Sequence, residues 1–334
     1  MIWLTHHTLA RRLISIPLIF CTAALLLALA PFWMAIFAVL GLLSTKLRSS
    51  VRCLCFICLF LLCEIAGIFA SCWLWLHHNV AQTPRQAYLD ANSALQFWWA
   101  DTLQRSANKL FRLRFVIEGK EALDGPGAIV LPRHTSIGDT LLPLSFYAKA
   151  KQLKVNYVLK RELLLDPCLD IVGNRLPNVF LNRVAQDMGP ELAGLEKLAA
   201  QASDDDTLVI YMEGTRFSKA KRDRVLKALK QNGDQDALNR AESWTELLPI
   251  RPAGALALLQ GAPNKDLLFL AHTGFEGSAS FASLVNGSWL DTTVRLRFWR
   301  IKRADIPCDE AGRRTLLSDQ WDVMQQAVCE MISK

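Results

Sequence analysis

Residues 13–43 hold no charged side chain and residues 53–76 hold only Glu64, so each run is long enough to cross a hydrocarbon core roughly 30 Å thick. Such a medium offers backbone groups no water, which leaves helix as the conformation for both runs. Arg11 and Arg12 precede the first run as they would in a secretory signal. That run, however, far exceeds the roughly 7–15 apolar residues of a signal, and a second one follows it. Pro31 interrupts it, so it is either one long kinked span or a hairpin whose limbs stay on one side of the membrane. The cations Lys46, Arg48 and Arg52 between the runs fit a cytoplasmic loop, as Arg11 and Arg12 fit a cytoplasmic start, and single crossings of both runs cannot satisfy every one of them with a cytoplasmic C-terminal domain. Topology therefore stays open. Glu64, near the middle of the second run, reads as a protonated or helix-paired carboxylate of the anchor rather than a lipid contact.

Hydrophobic residues make up 51% of the 334-residue chain, and the excess is concentrated in this N-terminal part. The net charge is +7, and residues 1–80 carry five cations against one carboxylate, which favours anionic lipid headgroups over nucleic acid as the neighbour. Six of nine cysteines (Cys21, Cys53, Cys55, Cys58, Cys63, Cys72) lie in the apolar runs and act as small hydrophobes. The other three, Cys168, Cys308 and Cys329, have no pairing or zinc spacing.

From Thr83-Pro84 the composition turns polar, and apolar residues at Tyr88, Ala91, Leu95, Trp98, Trp99, Leu103, Ala107 and Leu110 recur with helical spacing. Trp98 and Trp99 with Arg105 and Lys109 suit either the headgroup level of a membrane or packing on the following domain. Beyond this helix, strand patterns at Phe111–Ile117, Ala128–Leu131, Val155–Leu159, Val179–Leu181, Thr207–Met212, Leu267–Ala271 and Thr293–Ile301 alternate with helical ones at 140–150, 190–202, 221–231, 253–260 and 313–332. The alternation predicts an α/β fold, a mostly parallel sheet flanked by helices, preceded by transmembrane or membrane-embedded helices. The expected division is an anchor over 1–80, a connecting helix over 81–110 and an α/β domain over 111–334. Ser203-Asp204-Asp205-Asp206 reads as a solvated turn.

Chemistry gathers at the carboxyl ends of parallel strands, and two polar blocks stand there. His134 and Asp139 follow the strand ending at Leu131; Glu213-Gly214-Thr215-Arg216 follows the one ending at Met212. Five residues apart on a helix, His134 and Asp139 would point about 140° apart, so a turn must bring them together. Gly138 supplies the freedom for it and Ser136 can cap the helix after it. The carboxylate would then hold one imidazole nitrogen and leave the other to take a proton from an alcohol. No serine or cysteine sits in a nucleophile-elbow context, so direct attack of a substrate hydroxyl on an activated acyl group is implied. Arg216, steered by Glu213, suits a phosphate, or else the two only fix their loop. Lys219, Lys221, Arg222 and Arg224 form a solvated cationic face able to attract anionic lipid or a phosphorylated donor.

These two blocks resemble those of the glycerolipid acyltransferase family, which includes the 1-acylglycerol-3-phosphate acyltransferases. Val179-Phe180-Leu181-Asn182-Arg183 and Leu248-Pro249-Ile250-Arg251-Pro252 resemble two further blocks of that family, and the match runs through about residues 110–300 in the family's order. The resemblance implies His134 as base, Asp139 as its orienter, and Arg183, Glu213, Gly214, Thr215 and Arg216 as the acceptor-binding set. It further implies a membrane-bound O-acyltransferase with a lysophospholipid acceptor, lysophosphatidic acid giving phosphatidic acid foremost, and acyl-CoA or acyl-carrier protein as donor. No metal or other cofactor is implied. Arg133 departs from the Asn that many members carry before the histidine, and either Pro249 or Pro252 can match the fourth block. The rival readings are acylation of another hydroxylated lipid, such as an ornithine lipid or lipid A precursor, and a non-catalytic lipid-binding protein. The expected location is the cytoplasmic membrane, with the α/β domain facing the cytoplasm.

Overall fold

The computed structural model describes residues 2–40, 45–182, 187–232, 235–276, 278 and 287–334. In chain order the helices are α1 (Ile2–His6), α2 (Thr8–Ala28), α3 (Ala30–Leu40), α4 (Thr45–Ala81) and α5 (Arg85–Phe111). Strands β1 (Arg114–Glu118), β2 (Ile129–Pro132), β3 (Lys154–Lys160), β4 (Val179–Leu181), β5 (Asp206–Val209), β6 (Leu267–Thr273) and β7 (Thr293–Ile301) follow. Between and after them lie α6 (Lys149–Lys151), α7 (Pro167–Ile171), α8 (Gly189–Ala200), α9 (Lys219–Asn232), α10 (Gln235–Ser243), α11 (Ala253–Gly261) and α12 (Glu310–Ile332). Contacts group the chain into a helical unit of 1–113, 156–188 and 284–291 and a sheet unit of 114–155, 189–283 and 292–334. These groups are not the consecutive blocks 1–80, 81–110 and 111–334.

Buried polar bonds explain the grouping of the helical unit. Asp170, fully buried on α7, accepts from Arg11 Nη2 at 2.6 Å and Arg12 Nε at 2.8 Å. Glu64 on α4 accepts from Trp99 Nε1 at 2.8 Å and from the Cys168 amide at 3.2 Å. Arg11 and Arg12, which fit a cytoplasmic start by sequence, are in the folded protein partners of a buried carboxylate, and Glu64 is paired, as expected.

Helices α2 and α4 are long and apolar enough to cross a membrane. Between α2 and α3 the backbone stays right-handed helical at Leu29, whose amide donates to Leu25 O and whose carbonyl accepts from Trp33 N, so the described part of the first run, to Leu40, continues as helix through this point rather than folding back as a hairpin. Helix α5 lies against α4 from end to end. Arg52 donates to Leu110 O at 3.2 Å, Phe60 meets Trp99, Arg175 bridges Ser71 O and Asn92 Oδ1, and His78 stacks on Tyr88. Because α5 carries Asp90, Asp101, Arg105 and Lys109, hydrocarbon that enclosed α4 completely would have to take in these charges too.

In the sheet unit the strand order is β1-β7-β6-β2-β5, parallel except for the β6–β7 pair. The first residue of β3 extends it, with the Lys154 amide on Asp205 O at 2.9 Å; β3 and β4 pair in parallel in the helical unit. β6 is buried along its whole length, as a strand covered on both faces must be. Most elements shift by a residue or a few from the sequence expectation, and three differences have a clear local cause. Phe111 is the buried end of α5, and Arg112 closes that helix in the left-handed conformation, so the first strand starts at Arg114. β5 stops at Val209 because the chain turns through the Tyr211 O to Gly214 N bond. The 140–150 helix is a 3-10 turn at Gly138–Leu141, a π turn at Leu144–Ala148 and α6, since Pro143 offers no amide to continue the ladder. Helices α7 and α10 were not expected; both are single short segments with few periodic positions.

Candidate active site

Strand β2, central between β5 and β6, delivers Arg133 and His134 to the carboxyl edge of the sheet. The chain then reverses over Thr135–Ile137, so that Asp139 faces back to His134 with Nδ1 and Oδ1 2.9 Å apart. Asp139 itself makes the turn: its Oδ2 accepts from the Thr135 amide at 2.6 Å and the Ser136 amide at 2.8 Å. Ser136 accepts from Gly138 N at 3.1 Å rather than capping a following α-helix. Asp139 is fully buried, and burial alone would raise its pKa. The charge and hydrogen bond of His134, joined by those of His272, outweigh that and hold the carboxyl well below the ordinary carboxylate range.

The backbone of His134 is held on both sides. Its amide donates to Glu213 Oε1 at 2.7 Å, and its carbonyl accepts from Phe217 N at 2.6 Å. The other oxygen of Glu213 accepts from Leu248 N at 3.1 Å, and the Arg251 amide reaches Met212 O at 2.8 Å. Glu213 thereby clasps the His134 block and the Leu248–Pro252 block. It is 2% exposed, so its carboxylate meets backbone amides and not solvent, and it does not pair with Arg216 as the sequence reading supposed. Burial pushes its pKa up to about 8, against the His134 amide, the Arg133 charge and the Leu248 amide, which favour the ion.

Gly214 sits at φ +69°, a conformation that a side chain would strain, and it lets the chain turn after Glu213. Thr215 Oγ1 and Arg216 O both accept from Lys221 Nζ, at 3.0 and 2.9 Å. Arg216 is half-buried and forms no ion pair with a described carboxylate. Burial lowers the Lys221 pKa first, and the nearby charges of Arg216 and Arg224 lower it further; this crowding of cations is what an anion would relieve. Arg183 lies outside the described residues.

Two residues absent from the sequence reading complete the site. His272, last but one in β6, donates from Nε2 to Arg133 O at 3.0 Å, and the same nitrogen stands 3.5 Å from Asp139 Oδ2. Glu276 pairs with Arg133 and accepts from Gly274 N at 2.6 Å. A histidine closing the otherwise apolar run Leu267–Ala271 was the available signal. The imidazole of His134 lies 4.4 Å from the ring of Tyr211 and is 12% exposed. With Nδ1 engaged, Nε2 is the atom left to exchange a proton with a bound group.

Residues 114–259 match the protein-family model named Acyltransferase. No curated protein matches the chain. Among solved structures, the 1-acyl-sn-glycerophosphate (LPA) acyltransferase PlsC of Thermotoga maritima aligns at 16% identity over 81% of this chain and 98% of that one, with a TM-score of 0.45. The matched stretch 114–259 contains both the His134 and the Glu213 blocks, so the similarity to that family model falls on the residues that form the site.

Proposed function

We propose that this protein transfers a fatty acyl group from a coenzyme A or acyl-carrier-protein thioester to the free hydroxyl of a lysophospholipid, lysophosphatidic acid foremost, with His134 as general base. The supporting observation is the 2.9 Å contact of His134 Nδ1 with a fully buried Asp139 whose other oxygen is fixed by two backbone amides. Asp139 accepts Nδ1–H and so presents the lone pair of Nε2. As the hydroxyl oxygen attacks the thioester carbonyl, Nε2 takes its proton; collapse of the tetrahedral intermediate expels the thiolate, which recovers that proton from the imidazolium. Arg216, beside Lys221, receives the acceptor's phosphate, and Arg183 shares that role by resemblance. Glu213, Gly214 and Thr215 act by shaping the loop that holds Arg216 and the His134 amide. The apolar helices hold the enzyme at the cytoplasmic membrane, with the acyltransferase domain toward the cytoplasm, where a single-chain lipid partitions and is met at high local concentration.

Free thiol release by purified protein, with product analysis by mass spectrometry over a panel of lyso-acceptors and both donor carriers, tests this. His134→Ala should lower the rate by about 10²- to 10⁴-fold. A near-wild-type rate would remove His134 as base, and an inert lysophosphatidic acid beside an active acceptor of another class would move the substrate assignment.

A further inference from the structure

Arg133 and His272 hold each other reciprocally. The guanidinium donates from Nη1 to His272 O at 2.6 Å, and the imidazole donates from Nε2 to Arg133 O at 3.0 Å. Both side chains are fully buried. Arg133 is further fixed by Glu276 and by Nη2 on Glu246 O at 2.9 Å. Burial alone would raise the Glu276 carboxyl, but the Arg133 charge, and next His272, bring it below its ordinary value. A buried cation with this many acceptors is costly to move, so the carbonyl it carries is a fixed point. His272 Nε2 must bear a proton, because its 3.0 Å partner is a carbonyl and can only accept. That N–H also points near Asp139 Oδ2, 3.5 Å away.

Arg133 is the residue before the proposed base, and Asp139 is the base's orienter. We propose that His272 is a positioning residue for acyl transfer, tying the backbone ahead of His134 to the carboxylate that orients it, with the Arg133–Glu276 pair as the lock on this tie. The proposal rests on the reading of His134 as base. Turn amides from Thr135 and Ser136 fix Asp139 along the chain; only His272 reaches it from β6, across the sheet edge. The donor on Oδ2 also draws charge from the carboxylate, which limits how strongly Asp139 stabilises the His134 imidazolium. The charged and titratable groups facing His272 are Asp139, Arg133 and Glu276, with His134 beyond Asp139.

His272→Leu removes the donor, whereas His272→Gln keeps an N–H near the place of Nε2. The expected result for His272→Leu is a kcat lower by about 10- to 100-fold, KM values for donor and acceptor within about twofold of wild type, and an acid limb of the pH profile moved to higher pH. His272→Gln should recover most of the rate and return the limb toward wild type. A wild-type rate in both variants overturns the proposal. Equal losses in both with an unmoved pH profile also overturn it, since a packing role would give that. Should His272→Leu fail to fold, His272→Gln carries the decision: wild-type rate and pH profile support the tie, and a kcat loss of about 10- to 100-fold in His272→Gln itself defeats it. His134→Ala run alongside separates the two ideas, because activity in that variant would remove the base reading itself.

Discussion

The helical and sheet units place the same side-chain types by opposite rules. In the helical unit Leu9, Leu13, Phe32, Phe69, Trp73 and Val80 are exposed, while Arg11, Glu64 and Asp170 are buried. In the sheet unit only Val116, Val323 and Ile332 are large apolar residues left exposed among those described, and every residue of β6 is covered. Large apolar side chains turned outward over several helices mark a surface suited to a partner other than water, whether lipid or protein. The buried charges differ in kind as well. Asp170 satisfies guanidiniums and so joins distant pieces of chain, whereas Asp139 and Glu213 satisfy backbone amides and so shape loops. One arrangement serves assembly, the other orientation.

Removing a carboxylate from each unit should therefore fail in different ways. Asp139→Asn is expected to lower kcat by about 10²- to 10⁴-fold, through the wrong imidazole tautomer, in a protein that still folds but is less stable, because the lowered pKa of Asp139 marks its ion as stabilising. A folded, fully active variant would break the distinction. Asp170→Ala should destabilise the helical unit by about 3–5 kcal/mol, since it strands the buried Arg11. Denaturant unfolding in detergent reads this, and a wild-type midpoint would show that Arg11 finds water when its partner is gone.

Glu213 sharpens the comparison through pH. Its carboxyl titrates at about 8 when folded, against roughly 4.3 in an unfolded chain. Between those values the folded protein keeps a proton that the unfolded chain has released. Stability from this group is thus greatest in acid and falls as pH rises toward about 8, by at most about 1.4 kcal/mol per pH unit. Melting curves of wild type and Glu213→Gln between pH 5 and 8 should diverge with that slope, and parallel curves would mean that the two amides keep Glu213 ionised throughout. The smallest effect on stability is expected at the outward apolar face: Phe69→Ser with Trp73→Ser should shift the midpoint by no more than about 0.5 kcal/mol per site. The same pair should weaken binding to lipid vesicles. Unchanged vesicle binding would show that these side chains serve some other surface.

The residues that could be read from sequence alone were those whose signal is local. β4 and β7 have the bounds that alternation predicted, and α5 follows the helical spacing of Leu95, Trp99 and Leu103. His134 and Asp139 were recognisable because one tight turn joins them. What escaped was long-range. Nothing near Arg11 in sequence announces Asp170, and nothing near Glu213 announces Leu248 N. His272 was hidden for the same reason, since its partner Arg133 lies 139 residues earlier. A buried polar bond of this reach leaves no periodicity to detect.

That reach also has a consequence in time. Arg11 is made 159 residues before Asp170, and at about 5–20 residues per second the ribosome leaves roughly 8 to 32 s between them. During that interval Arg11 and Arg12 lack the carboxylate that holds them in the folded protein, while the apolar helix they belong to is already synthesised. The fastening of α2 to α7 through this pair thus waits on a residue made late, and until Asp170 exists α2 lacks the bonds that fix it to the rest of the unit.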